Sequence, residues 1–428
     1  MQFAHAAGPQ PPAPARRPDP ESTRKIIGAV LYGLGMLGGG LLLLLVFILP
    51  ALFSKNAGAE FQAMLLGALF ALPALFVYLW IPWIVDRYDP EPWWCLLLAL
   101  SWGAVAACGF SALINTTVHV AGDAAFGKGF GDVLGACVSA PLVEEFFKGI
   151  AVFGMFYFLR REFDGVVDGV IYATFAALGF AAVENIIYYS NAAREGGNAL
   201  IGTVVVRGIL GPWGHPLYTS MTGLGFGISR ETNKTWLKWL APIGGYMFAA
   251  FLHSTWNTAA TLSNTLVLLM LPLWFLFVIA FTILVVWLVK RKGKIIRDHL
   301  RDEVLMGNLT PWELELITSP IGRIKATMSY GGAAGRKFVD ASARLALSKW
   351  HTGRATQGRK LTVSADMILP LRQDLHRLRA EVSKALGKQV EQPRPWTPPQ
   401  MMAPQPATMQ QGHGHGGQPP PGGPPYPR

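Results

Sequence analysis

The sequence predicts an all-α, polytopic membrane helix bundle of about eight transmembrane helices. A small helical cytoplasmic C-terminal region follows it, and both termini are expected to be disordered. Three observations predict this class. Only 15% of the 428 residues are charged and 51% are apolar, against ~25% charged in an ordinary soluble domain. Eight apolar runs come close to or exceed the ~20 residues that cross a bilayer. The net charge of +11 is confined to one end: residues 1–289 hold 15 Lys and Arg against 16 Asp and Glu, and residues 290–428 hold 22 against 10. A nearly neutral apolar body with a basic appendage is not a nucleic-acid-binding pattern, so no nucleic-acid partner is expected.

Residues 1–25 form a Pro- and Ala-rich arm, expected to be disordered. The first apolar run, Ile26 to Phe53, is longer than a cleavable signal segment and lacks a clear cleavage site, so it reads as a span. The membrane body covers 26–289, with runs at roughly 26–53, 61–85, 93–121, 133–159, 166–189, 204–228, 239–260 and 264–289. The sixth run carries Arg207 and the breaking sequence Gly211-Pro212-Trp213-Gly214, which predicts a broken or re-entrant helix. Residues 290–390 are basic and partly helical. Thr310-Pro311-Trp312-Glu313 has capping-box spacing with Pro at the first helical position, and Leu369 to Leu386 reads as a basic amphipathic helix. Residues 391–428 are rich in Pro, Gly, Gln and His and are expected to be disordered; His413 and His415 lie there without a specific role.

Orientation follows from basic residues near the span ends. With the N-terminus inside, Arg16, Arg17, Arg24, Lys25, Arg87, Arg160, Arg161, Arg230, Lys234 and Lys238 are cytoplasmic. Only Lys55, Lys128 and Arg194 fall opposite. The expectation is a multi-pass protein of the plasma membrane with both termini cytoplasmic, its basic tail available to anionic lipid or a protein partner. The cysteines Cys95, Cys108 and Cys137 lie in or beside apolar runs without Cys-x-x-Cys spacing and read as small buried side chains.

Polar groups inside spans are costly and point to function. The fourth run contains Glu144, Glu145 and Lys148, with Glu144 and Lys148 at i,i+4 on one helix face. The fifth carries Glu184-Asn185, the sixth Gly214-His215-Pro216, and the seventh His253 and Asn257, again at i,i+4. Glu144 and Glu184 each lie 16 residues from Arg160 and Asp168; His215 and His253 each lie 15 from Arg230 and Lys238. At the helical rise all four reach roughly 22–24 Å above the cytoplasmic edge, in the outer half of a ~30 Å core. Singly, such residues are more often helix–helix hydrogen bonds or a transporter's proton sites; their common level favours one site. Arg207 reads as a counter-charge or loop residue, Asp164 and Asp168 as caps of the fifth span, and Asp86, Arg87, Asp89 and Glu91 as an interfacial loop. A proton- or cation-coupled transporter is the alternative, but the internal repeats it predicts are not seen.

At these residues the sequence resembles the PrsW family of intramembrane proteases, itself distantly similar to CAAX prenyl proteases and bacteriocin-processing membrane proteases. The resemblance rests on Glu144-Glu145-Phe146-Phe147-Lys148, on Phe180 to Asn185, on His215, and on His253 to Asn257. It covers roughly residues 61–289 and implies hydrolysis of a peptide bond in a membrane-anchored protein. Family members cut anti-sigma factors on the outer side of the membrane, which makes an anti-sigma-like substrate the expectation. The resemblance also implies Glu144 as the base that activates water, with Glu145 and Lys148 holding it. Glu184 would position the water or ligate a metal, and His253 and Asn257 would donate to the oxyanion. The cofactor stays open: Glu184, His215 and His253 would make a zinc site with Glu144 as base, whereas the CAAX relatives suggest a metal-free glutamate mechanism.

Overall fold

The computed structural model describes residues 20–211, 214–357 and 365–393. The expected disorder of residues 1–19 and 394–428, His413 and His415, and the residues Pro212 and Trp213 of the predicted break lie outside the described residues. Every regular element among the described residues is helical.

The membrane body is built from α1 (Glu21–Leu52), α2 (Ala57–Val85), α3 (Trp93–Phe126), α4 (Ala140–Phe158), α5 (Val166–Glu195), α6 (Gly197–Val204), α7 (Gly214–Glu231), α8 (Thr235–Leu262) and α9 (Asn264–Leu305). Among the described residues five helices are long and apolar enough to cross a membrane: α1, α2, α3, α5 and α9. Of the four that miss that standard, α4, α7 and α8 carry Glu144, His215 and His253, and the fourth is the short α6. Leu34, Leu65, Leu269 and many other large apolar side chains of α1, α2 and α9 point outward. Such a surface is stable only against lipid.

The apolar helix α5 runs through the centre, buried continuously from Val166 to Ala182, as expected of a helix apolar on every face. Small residues let its neighbours approach. A Cβ on Gly179 would sit 1.9 Å from the carbonyl oxygen of Leu100 in α3, and one on Gly169 2.2 Å from that of Gly223 in α7. Backbones pack this closely in membranes because lipid supplies no hydrophobic drive and contact must do so.

The sixth span is broken, as its sequence predicts. The helix α6 continues through a wide π-helical turn, Val205–Leu210, and stops at Gly211; α7 then starts afresh at Gly214. The break precedes His215, so the helical rise from Arg230 to His215 is uninterrupted. A second wide turn, Gly135–Ser139, feeds directly into α4. Such turns free carbonyls, and α8 satisfies two of them: Ser254 Oγ donates to Cys137 O at 2.6 Å and Asn257 Nδ2 to Ala136 O at 3.0 Å.

At the opposite end of the bundle α9 extends beyond the other helices and carries a small helical unit, α10 (Pro311–Thr318), α11 (Gly322–Ser329), α12 (Ala333–Gln357) and α13 (Ala365–Leu386). The capping box forms: Thr310 Oγ1 accepts from Glu313 N, and Glu313 Oε2 from Thr310 N. Ile296, Leu300, Leu316, Phe338, Leu345, Leu375 and Val382 make the core, and the buried Arg379 forks onto Glu313 at 2.9 and 2.8 Å.

This unit does not hang free. Lys292 donates to Asp168 at 2.9 Å, Arg291 to Glu231 at 2.7 Å, and Arg344 lies 3.6 Å from Asp89. His351 lies 3.6 Å from Asp164. Arg291, Lys292, Arg344 and His351 thus face carboxylates of the body itself, in the loops 86–92 and 160–165, at the start of α5 and at the end of α7. Asp168 also caps α5, its Oδ2 accepting from Asp164 N at 2.6 Å and Gly165 N at 2.9 Å.

Candidate active site

Four helices bring Glu144, Glu145 and Lys148 (α4), Glu184 (α5), His215 (α7) and His253 (α8) into one buried cluster. Glu184, His215 and His253 are each joined to their charged end by unbroken helix, and the helix of Glu144 runs to Phe158, two residues short of Arg160. Lys148 is fully buried. Its Nζ donates to Glu145 Oε1 at 2.8 Å, stands 3.0 Å from His215 Nδ1 and 3.5 Å from Glu144 Oε2, and lies 4.0 Å above the Phe180 ring. Glu145 is satisfied on every side, by Lys148, by Thr219 Oγ1 at 2.7 Å and by His253 Nδ1 at 3.2 Å. A buried carboxylate is tolerated only when paired and hydrogen-bonded in this way.

Glu144 is different. Its Oε1 accepts from Asn115 Nδ2 at 3.4 Å, and Ser139 Oγ fixes that amide by donating to Asn115 Oδ1 at 2.8 Å. Its Oε2 is buried with no hydrogen-bond partner, and faces His253 Nε2 at 3.9 Å. Sequence reading passed over Asn115 and Ser139; single neutral residues in apolar runs carry no signal until the helices are packed.

Each histidine has one ring nitrogen held by a carboxylate. His215 Nε2 meets Glu184 Oε2 at 2.8 Å, and His253 Nδ1 meets Glu145 Oε1. Because an ammonium can only donate, the 3.0 Å contact with Lys148 makes His215 Nδ1 an acceptor and puts the proton on Nε2. The three donors that converge are Glu144, His215 and His253, whose ligand atoms all lie within 4.8 Å of one another. Glu184 stands beside this set, its Oε2 shared between His215 and Arg207. Asn257 is one helical turn beyond His253, with its amide on Ala136 O.

Residues 91–288 match the PrsW family intramembrane metalloprotease. That stretch is similar to the PrsW family. Three curated relatives carry the name Protease PrsW. The protein of Geobacillus kaustophilus is 31% identical over 127 residues, covering 28% of this chain and 50% of its own length. That of Oceanobacillus iheyensis is 49% identical over 47 residues, 11% of this chain and 21% of the relative. That of Halalkalibacterium halodurans is 29% identical over 178 residues, 41% of this chain and 74% of the relative. The chain thus spans half the length of the first and about a fifth of the second. No solved structure matches it. The PrsW match includes all the residues of the cluster, and stops before the helical unit that α9 carries. It favours proteolysis over the transporter alternative.

Proposed function

We propose that this PrsW-like domain is an intramembrane endopeptidase in which Glu144 activates water for attack on a peptide bond of a membrane-anchored protein. One observation carries the reading: Glu144 Oε2 is a buried carboxylate oxygen without a hydrogen bond, 3.5 Å from the Lys148 ammonium and facing His253 Nε2 across 3.9 Å. Asn115 occupies the other oxygen and Lys148 supplies a nearby compensating charge. A water between Oε2 and Nε2 is oriented by two acceptors, gives one proton to Glu144 as it attacks, and leaves the carboxyl able to protonate the departing amine. Glu145 acts through His253, holding its Nδ1 so that Nε2 stays turned to the reacting side. The charges of Lys148 and Arg207 lie within the same low-dielectric cluster and offset the negative charge of the tetrahedral intermediate.

The donor set also fits a divalent ion. Glu144 Oε2, His215 and His253 would hold it, and the carboxylate–histidine pairs Glu184–His215 and Glu145–His253 are the usual outer shell of such ligands. When bound, such an ion would polarise the scissile carbonyl and sharpen the acidity of water. The Lys148 ammonium stands against the same lone pairs of Glu144 and His215, so it competes with any metal for them.

With the basic unit on the cytoplasmic side, the cluster lies in the outer half of the membrane. That suits a single-span substrate cut near its outer end, of the kind an anti-sigma factor presents. Cleavage of a single-span test protein by the reconstituted chain and by Glu144→Ala tests the proposal; equal cleavage by both would sink it.

A further inference from the structure

Arg207 sits in the wide turn at the end of α6, directly before the break that starts α7. Its Nε donates to Asn185 Oδ1 at 2.9 Å, a terminal nitrogen donates to Glu184 Oε2, and the guanidinium lies 3.8 Å from the Tyr188 ring centroid. The turn itself is held by the Tyr78 hydroxyl on Gly208 O, and a Cβ on Gly208 would fall 2.9 Å from the Tyr189 hydroxyl. The guanidinium is therefore aimed along a fixed line at two adjacent side chains of α5.

We propose that Arg207 is a positioning residue of the site, which orients His215 through Glu184. The Glu184 oxygen that Arg207 grips is the same Oε2 that His215 Nε2 meets at 2.8 Å. With that oxygen fixed, the His215 ring is held in one orientation, and Nδ1, which the Lys148 contact makes an acceptor, stays turned toward Lys148 and Glu144. Charge counting points the same way. Three carboxylates, Glu144, Glu145 and Glu184, face two permanent cations, Lys148 and Arg207. Removing Arg207 leaves Glu184 with only an imidazole to balance it and frees the carboxylate to turn away. Lysine cannot replace the fork, because one ammonium on a flexible stem does not span Asn185 and Glu184 together.

The activity arm of the test rests on the protease reading; the spectroscopic arm does not. In liposomes holding the full chain and a single-span substrate, Arg207→Met is expected to lower kcat about 10–100-fold with KM little changed, the loss typical of an outer-shell partner. Arg207→Lys should recover part of it, methylguanidinium should restore Arg207→Ala, and adding Glu184→Gln to Arg207→Met should cost little more. Nitrogen-15 histidine spectra, with His215 assigned by loss of its signal in His215→Gln, should show one sharp Nε2–H signal set in the wild type and a shifted, exchange-broadened one in Arg207→Met, whose Nε2–H has lost its fixed acceptor. If the wild type does not cleave, the protease reading fails and the spectra alone decide on Arg207. An unchanged His215 signal in Arg207→Met overturns the proposal, as does a variant that loses activity only through a lower melting temperature and is not rescued by methylguanidinium.

Discussion

Glu144 Oε2 and His253 Nε2 face each other across 3.9 Å, and the carboxylate oxygen has no hydrogen-bond donor of its own. Both oxygens of Glu145 are held, by Lys148, Thr219 and His253, and Glu184 Oε2 by Arg207 and His215. A buried carboxylate oxygen without a hydrogen bond is costly to keep. In the proposed mechanism it is the atom that takes the proton from water.

Lys148→Met tests the competition between ammonium and metal. Removing the ammonium frees His215 Nδ1 and leaves the negative charge of Glu144 and Glu145 without its buried counter-charge. Zinc titration of the purified protein should show affinity rising by about 10-fold or more, as expected for deleting a like charge at this range. Unchanged or weaker zinc binding would show that Lys148 does not occupy the metal's place.

Gly179→Ala tests how tightly α5 is held. Its new Cβ would meet the Leu100 carbonyl at 1.9 Å, so α3 and α5 must separate, at about 1–3 kcal/mol for overpacking. Gly154→Ala in α4 has nothing within 4 Å of the new atom and should be neutral. Thermal unfolding in detergent compares the two, and equal melting temperatures would contradict the packing described for α5.

The contact between α12 and the loop 160–165 has a hidden pH dependence. Burial, with Asp168 and Asp89 near, pushes the Asp164 carboxyl from 3.8 up to about 7 against the pull of Lys292 and Arg230. Burial and the Arg230 charge push the His351 imidazole from 6.5 down to about 3. Asp164 lends stability that is full below 3.8 and lost as pH rises through about 7. His351 lends stability that is full above 6.5 and lost as pH falls toward 3. The opposite slopes nearly cancel between 3.8 and 6.5. Hydrogen exchange in α12 should therefore be nearly flat in the wild type over that window. It should rise toward acid in Asp164→Asn and rise toward neutral pH in His351→Gln. Parallel profiles for the two variants would rule the pairing out.

The fold class was legible because lipid imposes length and apolarity on each span, and even the broken sixth span announced itself in Gly211-Pro212-Trp213-Gly214. That Glu144, Glu184, His215 and His253 share one cluster could be read by counting because helix runs unbroken, or to within two residues for Glu144, between each residue and its charged end. What could not be read was pairing. Arg207 looked like a counter-charge, yet that Glu184 is its partner depends on how α6 folds back along α5. Asn257 shares a helix face with His253, but the wide turn at Gly135–Ser139 presents it with a free carbonyl. Likewise the basic tail suggested lipid, while its docking on Asp89, Asp164, Asp168 and Glu231 arises only when loops far apart in sequence meet.

That Glu144 Oε2 is the base is the heart of the proposed mechanism. It is tested most directly by Glu144→Gln, which keeps the shape of the side chain and the Asn115 contact but cannot take a proton from water. Single-turnover cleavage of a single-span substrate in liposomes should slow by about 10²–10⁴-fold, the usual contribution of general-base catalysis, with the melting temperature unchanged. Cleavage by Glu144→Gln within about threefold of wild type, at the same melting temperature, would contradict the account.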